Sequence, residues 1–366
     1  YALTGNDNVN AEIAVQCCRL AKATPGSSVV CHVHLESQDI LKIFLESGIG
    51  ALQWGGACSI EFFNLYQISG YCLQKTYPPF STEEPDIVVP HILVIGLGRM
   101  GETLLVQTVR RWMEREKNGR KIVITAIDRE AEQKRELLLW RYPSLPKYCD
   151  LNLVTMDVKS VAFFRGDYVR DLAEKVPFTK VYICIDDNSI GIASALALAR
   201  NALLRKVPII IRTTYNEGIP RIFETLKENN PEFSNILTFP IVSEPCCLDI
   251  IVWGIRELFA RIIHDNYRTM RLRQGATPLD DPAMRPWHEL DEMYRNSNRD
   301  QADHIRKKIQ EIGCGITVRS DWDEPLFTFT NQELEYLAEK EHERWMKEKI
   351  AQGWKPGPER NKERKE

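Results

Sequence analysis

Ile92-Leu93-Val94-Ile95-Gly96-Leu97-Gly98-Arg99-Met100-Gly101 is the stretch on which the fold turns. Four apolar residues in a row suit a strand buried on both faces, as in a parallel sheet. Ile87, Val88 and Val89 extend the apolar run upstream. The glycines follow at once, in the spacing Gly-x-Gly-x-x-Gly. The first allows a tight turn and the second a close approach of backbone to a pyrophosphate. The third allows helix and strand to pack closely, and the helix N-terminus attracts phosphate. Leu104, Leu105, Thr108, Val109 and Trp112 then recur at helical spacing.

Downstream the pattern repeats. Strand-like residues 122–127 end at Asp128, and 151–156 run to Asp157. Residues 181–185 end at Asp186-Asp187-Asn188, and 207–211 end at Arg212, with a helix expected over 192–204 between them. Strands alternating with helices predict an α/β, doubly wound parallel sheet, whose ligands bind at the carboxyl ends of the strands. Asp128 sits where a carboxylate accepts two ribose hydroxyls and repels a 2′-phosphate, while Arg129 beside it leaves room for a phosphorylated ribose. The candidate cofactor-binding set is Gly96, Gly98, Arg99, Met100, Gly101, Asp128, Arg129, Asp157, Asp186, Asp187 and Arg212. Strand-end acids also cap helices, so Asp186 and Asp187 have two readings. Arg212 meets either a phosphate or a neighbouring carboxylate.

Upstream lies an apparent second copy. Ala2-Leu3-Thr4-Gly5-Asn6-Asp7-Asn8 matches the stretch from Tyr182 to Asn188 without a gap, and Val29-Val30-Cys31-His32 matches Ile209-Ile210-Ile211-Arg212. Ile43-Phe44 resembles Ile222-Phe223, residues 51–54 echo strand-like 236–239, and 60–73 read as a helix like 248–263. Residues 1–80 are thus expected to be the back half of one unit and 81–265 a complete one. After about Asp265 the chain turns basic and then Pro/Asp-rich, and two polar helical segments follow near 287–312 and 331–352. Thr330 and Glu333 fit a capping box that opens the second, and Gly353 fits its stop. Leu334, Ala338, His342 and Trp345 share one of its faces. Residues 266–366 form a small, mainly helical third domain, in which His342, Trp345 and Trp354 are either an aromatic core or a ring-stacking ligand pocket.

Composition excludes some classes. Hydrophobic residues are 43% and charged residues 27%, as in globular proteins, and the formal charge of -3 argues against a globally basic nucleic-acid binder. Ten scattered cysteines without Cys-x-x-Cys suggest a reducing compartment rather than a disulfide framework, and no common metal spacing. The seven histidines join no recognisable catalytic arrangement. The expectation is therefore no catalytic residue, no metal and no enzyme.

These residues resemble two families. The unit from Ile92, with its glycine motif, Asp128, Asp157, Asp186-Asp187-Asn188 and Arg212, resembles the TrkA-N/RCK nucleotide-binding domains of potassium transporters and channels. Residues 2–10 resemble the same family's fourth-strand motif. Glu341-His342-Glu343-Arg344-Trp345 with Gly353-Trp354 resembles the bacterial ryanodine-receptor repeat, or RyR domain. The resemblance implies tandem Rossmann-type units, one partial and one complete, that bind NAD(H) or another adenine nucleotide such as ATP, ADP or AMP. It implies a cytoplasmic regulatory region of an inner-membrane potassium channel or transporter, with pore segments lying upstream, and a homo-oligomer. The alternatives are an NAD-dependent oxidoreductase and a soluble nucleotide-sensing effector.

Overall fold

The computed structural model describes residues 2–24, 29–37, 39–41, 43, 51–54, 58–81, 89–116, 118–215, 217–241, 245–279, 281–315, 322–323 and 327–355. Ile87, Val88 and Phe44, which entered the expectations above, lie outside the described residues. The strands are β1 (Val29–His34), β2 (Ala51–Trp54), β3 (Cys58–Phe63), β4 (His91–Ile95), β5 (Ile122–Asp128), β6 (Cys149–Thr155), β7 (Lys180–Ile183), β8 (Ile209–Thr213) and β9 (Ile236–Pro240). The helices of ten residues or more are α1 (Asp7–Ala23), α2 (Leu65–Thr76), α3 (Arg99–Arg115), α4 (Ala131–Arg141), α5 (Asn188–Ala199), α6 (Ile219–Glu228), α7 (Pro245–Arg273), α8 (Glu292–Glu311) and α9 (Asn331–Ala351).

Six parallel strands make one sheet in the order β6-β5-β4-β7-β8-β9. From β4 at the centre the chain winds to one edge, returns beside β4 as β7, and winds to the other. That is the order of dinucleotide-binding sheets. This unit is a Rossmann fold. Every residue of β4 is buried, because helices cover both faces of the sheet. Its one polar residue, His91, bonds to the Val176 carbonyl through Nδ1 at 2.6 Å and to Thr125 Oγ1 through Nε2 at 2.8 Å. A carbonyl only accepts, so Nδ1 carries the proton and Nε2 accepts from the hydroxyl.

Residues 1–80 form a separate sheet in the order β1-β3-β2. β1 pairs parallel with β3, and Ala2 bridges in parallel to Val33 on the other side of β1. Asn6 caps α1 as Asp187 caps α5. Two local expectations are corrected. Residues 60–63 belong to a strand, not a helix: Ile60, Phe62 and Phe63 are buried, and β3 runs along β1. The helix begins at Leu65, where the Asn64 side chain caps it. Residues 51–54 run antiparallel to β3 on the outer edge, whereas β9, which they echo, is parallel to β8. The scattered-thiol expectation is also corrected, because Cys18 on α1 is disulfide-bonded to Cys58 on β3.

α2 packs on α3, the helix opened by the glycine motif, so Phe63, Ile68, Cys72 and Leu73 share a core with Ile92, Leu104, Leu105 and Trp112. No linker separates the second unit from the third domain. The compositional change at 265–266 falls inside α7, whose basic end holds the following loop: Tyr267 donates to Asp281 at 2.6 Å and Arg268 to the Met284 carbonyl at 2.8 Å. No helix among the described residues is long and apolar enough to cross a membrane.

Burial lowers the pKa of His34, His91 and His264, all almost inaccessible to water. In the unfolded chain each takes a proton near pH ~6.5. Below that pH the unfolded state binds more protons than the folded one, so stability falls on acidification. We predict a lower urea midpoint at pH ~5.5 than at pH ~7.5, and a weaker dependence in His91→Gln; equal midpoints for the wild type would contradict it.

Candidate functional site

The cleft lies where the winding reverses, between β4 and β7. It has a volume of about 290 Å³, and its walls include Gly96, Gly98, Asp128, Arg129, Asp157, Cys184, Ile185 and Asp186. Gly96 turns the chain out of β4 at φ 89°, a conformation L side chains rarely adopt. Gly98 is the N-cap of α3 and supplies no side-chain cap, and a Cβ built there meets nothing within 4 Å. Gly101 is different. A Cβ there would stand 1.9 Å from the Gly96 carbonyl oxygen, so this glycine closes the strand–helix contact. Its neighbour Met100 points into the core at 1% exposure, and its side chain is packing rather than lining.

Asp128 ends β5 and folds back on the glycine turn. Its Oδ2 accepts the Leu97 N–H at 2.7 Å, and Oδ1 accepts the Glu130 N–H at 2.9 Å and the Lys134 ammonium at 2.7 Å. Burial raises its pKa, but Lys134 and the two N–H donors outweigh that and hold the carboxyl below its ordinary value. A carboxylate offers about four acceptor positions, and three are used here. One acceptor position is therefore left open, and a second would open if Lys134 moved away. Lys134 is the site residue that the sequence reading missed. It lies on α4, six positions beyond Asp128, and could have been found as a cation one helical turn into the helix after the acid.

The other candidates divide. Asp157 is exposed on the rim, and its Oδ1 accepts the Lys159 N–H at 2.8 Å. Asp186 is also at the rim. Asp187 is turned away from the cleft: Oδ1 accepts the N–H groups of Ser189 and Ile190, the capping role. Arg212 does not line the cleft. At 5% exposure it donates to the Asp186 carbonyl at 2.9 Å and lies 3.5 Å from that carboxylate, tying the end of β8 to the end of β7. Cys184 is a neutral wall, since burial pushes its thiol up to about 12. Arg99 leans out of the glycine loop to pair with Glu36 of the first sheet at 2.6 Å and sits over the Tyr66 ring. Arg141 bridges Glu102 and Asp39 at 2.9 and 3.0 Å. These contacts wall a second hollow of about 450 Å³ between the two sheets, which also takes in Asn6, Asp7 and Ser37.

In the third domain the capping box is present, with Thr330 and Glu333 bonded reciprocally. Trp354 donates its backbone N–H to Lys349 beyond the turn at Gly353. His342 and Trp345 stack at 5.8 Å, and the Lys349 ammonium lies about 6 Å from both the Trp345 and Trp354 rings. They form neither an aromatic core nor an enclosed pocket. α9 has no buried residue, and His342 and Trp345 are exposed. Arg344 is held by Glu341 and Glu348, both at 2.8 Å, and Lys308 of α8 binds Glu341, so α9 is docked by charge.

No family model and no curated protein matches the chain. Solved structures that resemble it include the D-lactate dehydrogenase of Escherichia coli, at 10% identity over 76% of this chain and 96% of that one, with a TM-score of 0.27. The L-tryptophan dehydrogenase of Nostoc punctiforme gives 10% identity, 89% coverage of each chain and 0.24. Scores this low carry no argument about activity, and the fold rests on the strand order itself. The expectation that the chain is not an enzyme is withdrawn on the strand order and the glycine-loop cleft, which suit a nicotinamide-dependent enzyme as well as a binding module.

Proposed function

We propose that the chain binds an adenine dinucleotide at the glycine loop, NAD(H) in preference to its 2′-phosphorylated form, with ATP, ADP or AMP competing for the adenosine half. The observation that carries this is the cleft itself. It combines an uncapped helix N-terminus at Gly98, open space where a Cβ would stand, and the ionised Asp128 at the next strand end. Arg99 supports a ligand-sensing use. Phosphates at the start of α3 would compete with Glu36 for its guanidinium, so occupancy would be felt by residues 1–80. That is the regulatory behaviour implied by the resemblance to potassium-transport domains. Hydride transfer is the second reading, favoured by the apolar Ile185 and Ile190, which line the same cleft beside Cys184.

Calorimetry with NAD, NADH, NADP, ATP, ADP and AMP tests binding. Gly98→Val should abolish it without loss of fold. Asp128→Ala should weaken it roughly 10- to 100-fold, the worth of a hydrogen bond to a charged group. If no nucleotide binds below millimolar, or Gly98→Val binds as tightly as the wild type, the proposal fails. NADH oxidation against a panel of 2-oxo acids and aldehydes, in the same samples, separates turnover from sensing.

A further inference from the structure

Cys18 on α1, Cys31 on β1 and Cys58 on β3 are all buried, and their sulfur atoms lie within 4.8 Å of one another. They belong to three elements that only the fold brings together. A fourth thiol is at hand, for Cys17 is the neighbour of Cys18 in the chain and is not in a disulfide. Around them pack Ala14, Ala21, Val33, Ile60 and Phe62, and among the described residues no histidine or carboxylate joins the cluster. We propose that the reduced form of this cluster is a binding site for one thiophilic cation of the zinc type, held by Cys18, Cys31 and Cys58 with Cys17 as the fourth ligand.

The donor chemistry selects the ion. Hard cations require oxygen ligands, and an all-sulfur set takes zinc or monovalent copper. Zinc–sulfur bonds of about 2.3 Å in a tetrahedron place the sulfurs about 3.8 Å apart, within the span of the cluster. The bond between Cys18 and Cys58 is the competing state, since it withdraws two of the ligands. An external dithiol reductant supplies two electrons and two protons to that bond and itself closes to a disulfide, leaving two thiols. The cation then displaces the thiol protons to solvent as it binds. Neither step involves the glycine-loop cleft, so the site stands or falls independently of nucleotide binding.

The test uses the full chain, reduced with a phosphine under exclusion of air and titrated with cobalt(II) as a spectroscopic substitute for zinc. The expected result is one ion per chain with a thiolate-to-cobalt charge-transfer band and tetrahedral visible bands, displaced by zinc. Cys31→Ser should lose the band, whereas Cys149→Ser, which removes a buried thiol elsewhere, should keep it. Circular dichroism reports whether each variant folds. If Cys31→Ser does not fold, alkylation of the wild type decides: zinc should protect Cys18, Cys31 and Cys58 but not Cys149. Reduced wild type that binds no cobalt, a band that survives in Cys31→Ser, or alkylation unchanged by zinc would overturn the site.

Discussion

Replacing Glu257 by Ala is expected to destabilise the chain by about 3–5 kcal/mol, as when one partner of a buried ion pair is removed. Glu257 lies on α7 and is completely inaccessible to water. Its carboxylate accepts Arg299 Nε of α8 at 2.7 Å and the Trp287 indole N–H at 3.1 Å, and Arg261 approaches to 3.5 Å. Both guanidiniums are 5% exposed and lie over the Trp287 ring. Removing the acid leaves them buried beside each other, with Glu292 still paired to Arg299 at the rim. Glu257→Gln should cost less than Ala, because it keeps one acceptor oxygen, although it loses the charge and places an NH2 donor where the other oxygen accepts. Urea unfolding followed by Trp fluorescence checks both variants. A midpoint for Glu257→Ala equal to that of the wild type would show that this network does not anchor the third domain.

Gly101→Ala is expected to cost stability and nucleotide affinity together. The added methyl would meet the Gly96 carbonyl at 1.9 Å, and the obstacle is backbone, which cannot rotate away. α3 must therefore move off β4 by roughly 1 Å. Overpacking of this kind costs about 1–3 kcal/mol, and more where the neighbour is fixed. The same shift carries the first N–H groups of α3 away from where phosphate would lie, so affinity should fall more than about tenfold. Gly98→Ala is the contrast. Its Cβ enters open space and its φ of -72° suits any residue, so apo stability should change by about 1 kcal/mol or less. Equal melting temperatures for Gly101→Ala and Gly98→Ala would contradict this division of roles among the glycines.

The glycine unit was legible because its signals are short-range. A continuous apolar run, three glycines in fixed spacing and a 3.6-residue period specify β4, its turn and α3 with little help from the rest of the chain. The acid at the end of β5 follows from the same alternation. The capping box at Thr330 and Glu333 spans four residues and could be read for the same reason. Ambiguity began wherever a residue's role depends on a partner distant in sequence. Asp128 and Asp187 both end a strand and precede a helix. Only the first faces the cleft, because Leu97, 31 residues away, offers it a donor, while the second finds its donors in its own helix. Arg212 reads as a phosphate ligand until the fold places the Asp186 carbonyl within 2.9 Å. Residues 60–63 suit a helix or a strand by pattern, and pairing with β1 selected the strand. The meeting of Cys18 with Cys58, and of Glu257 with Arg299, carries no sequence signal. Each pair joins elements separated by about forty residues, and burial between packed elements is what makes the contact.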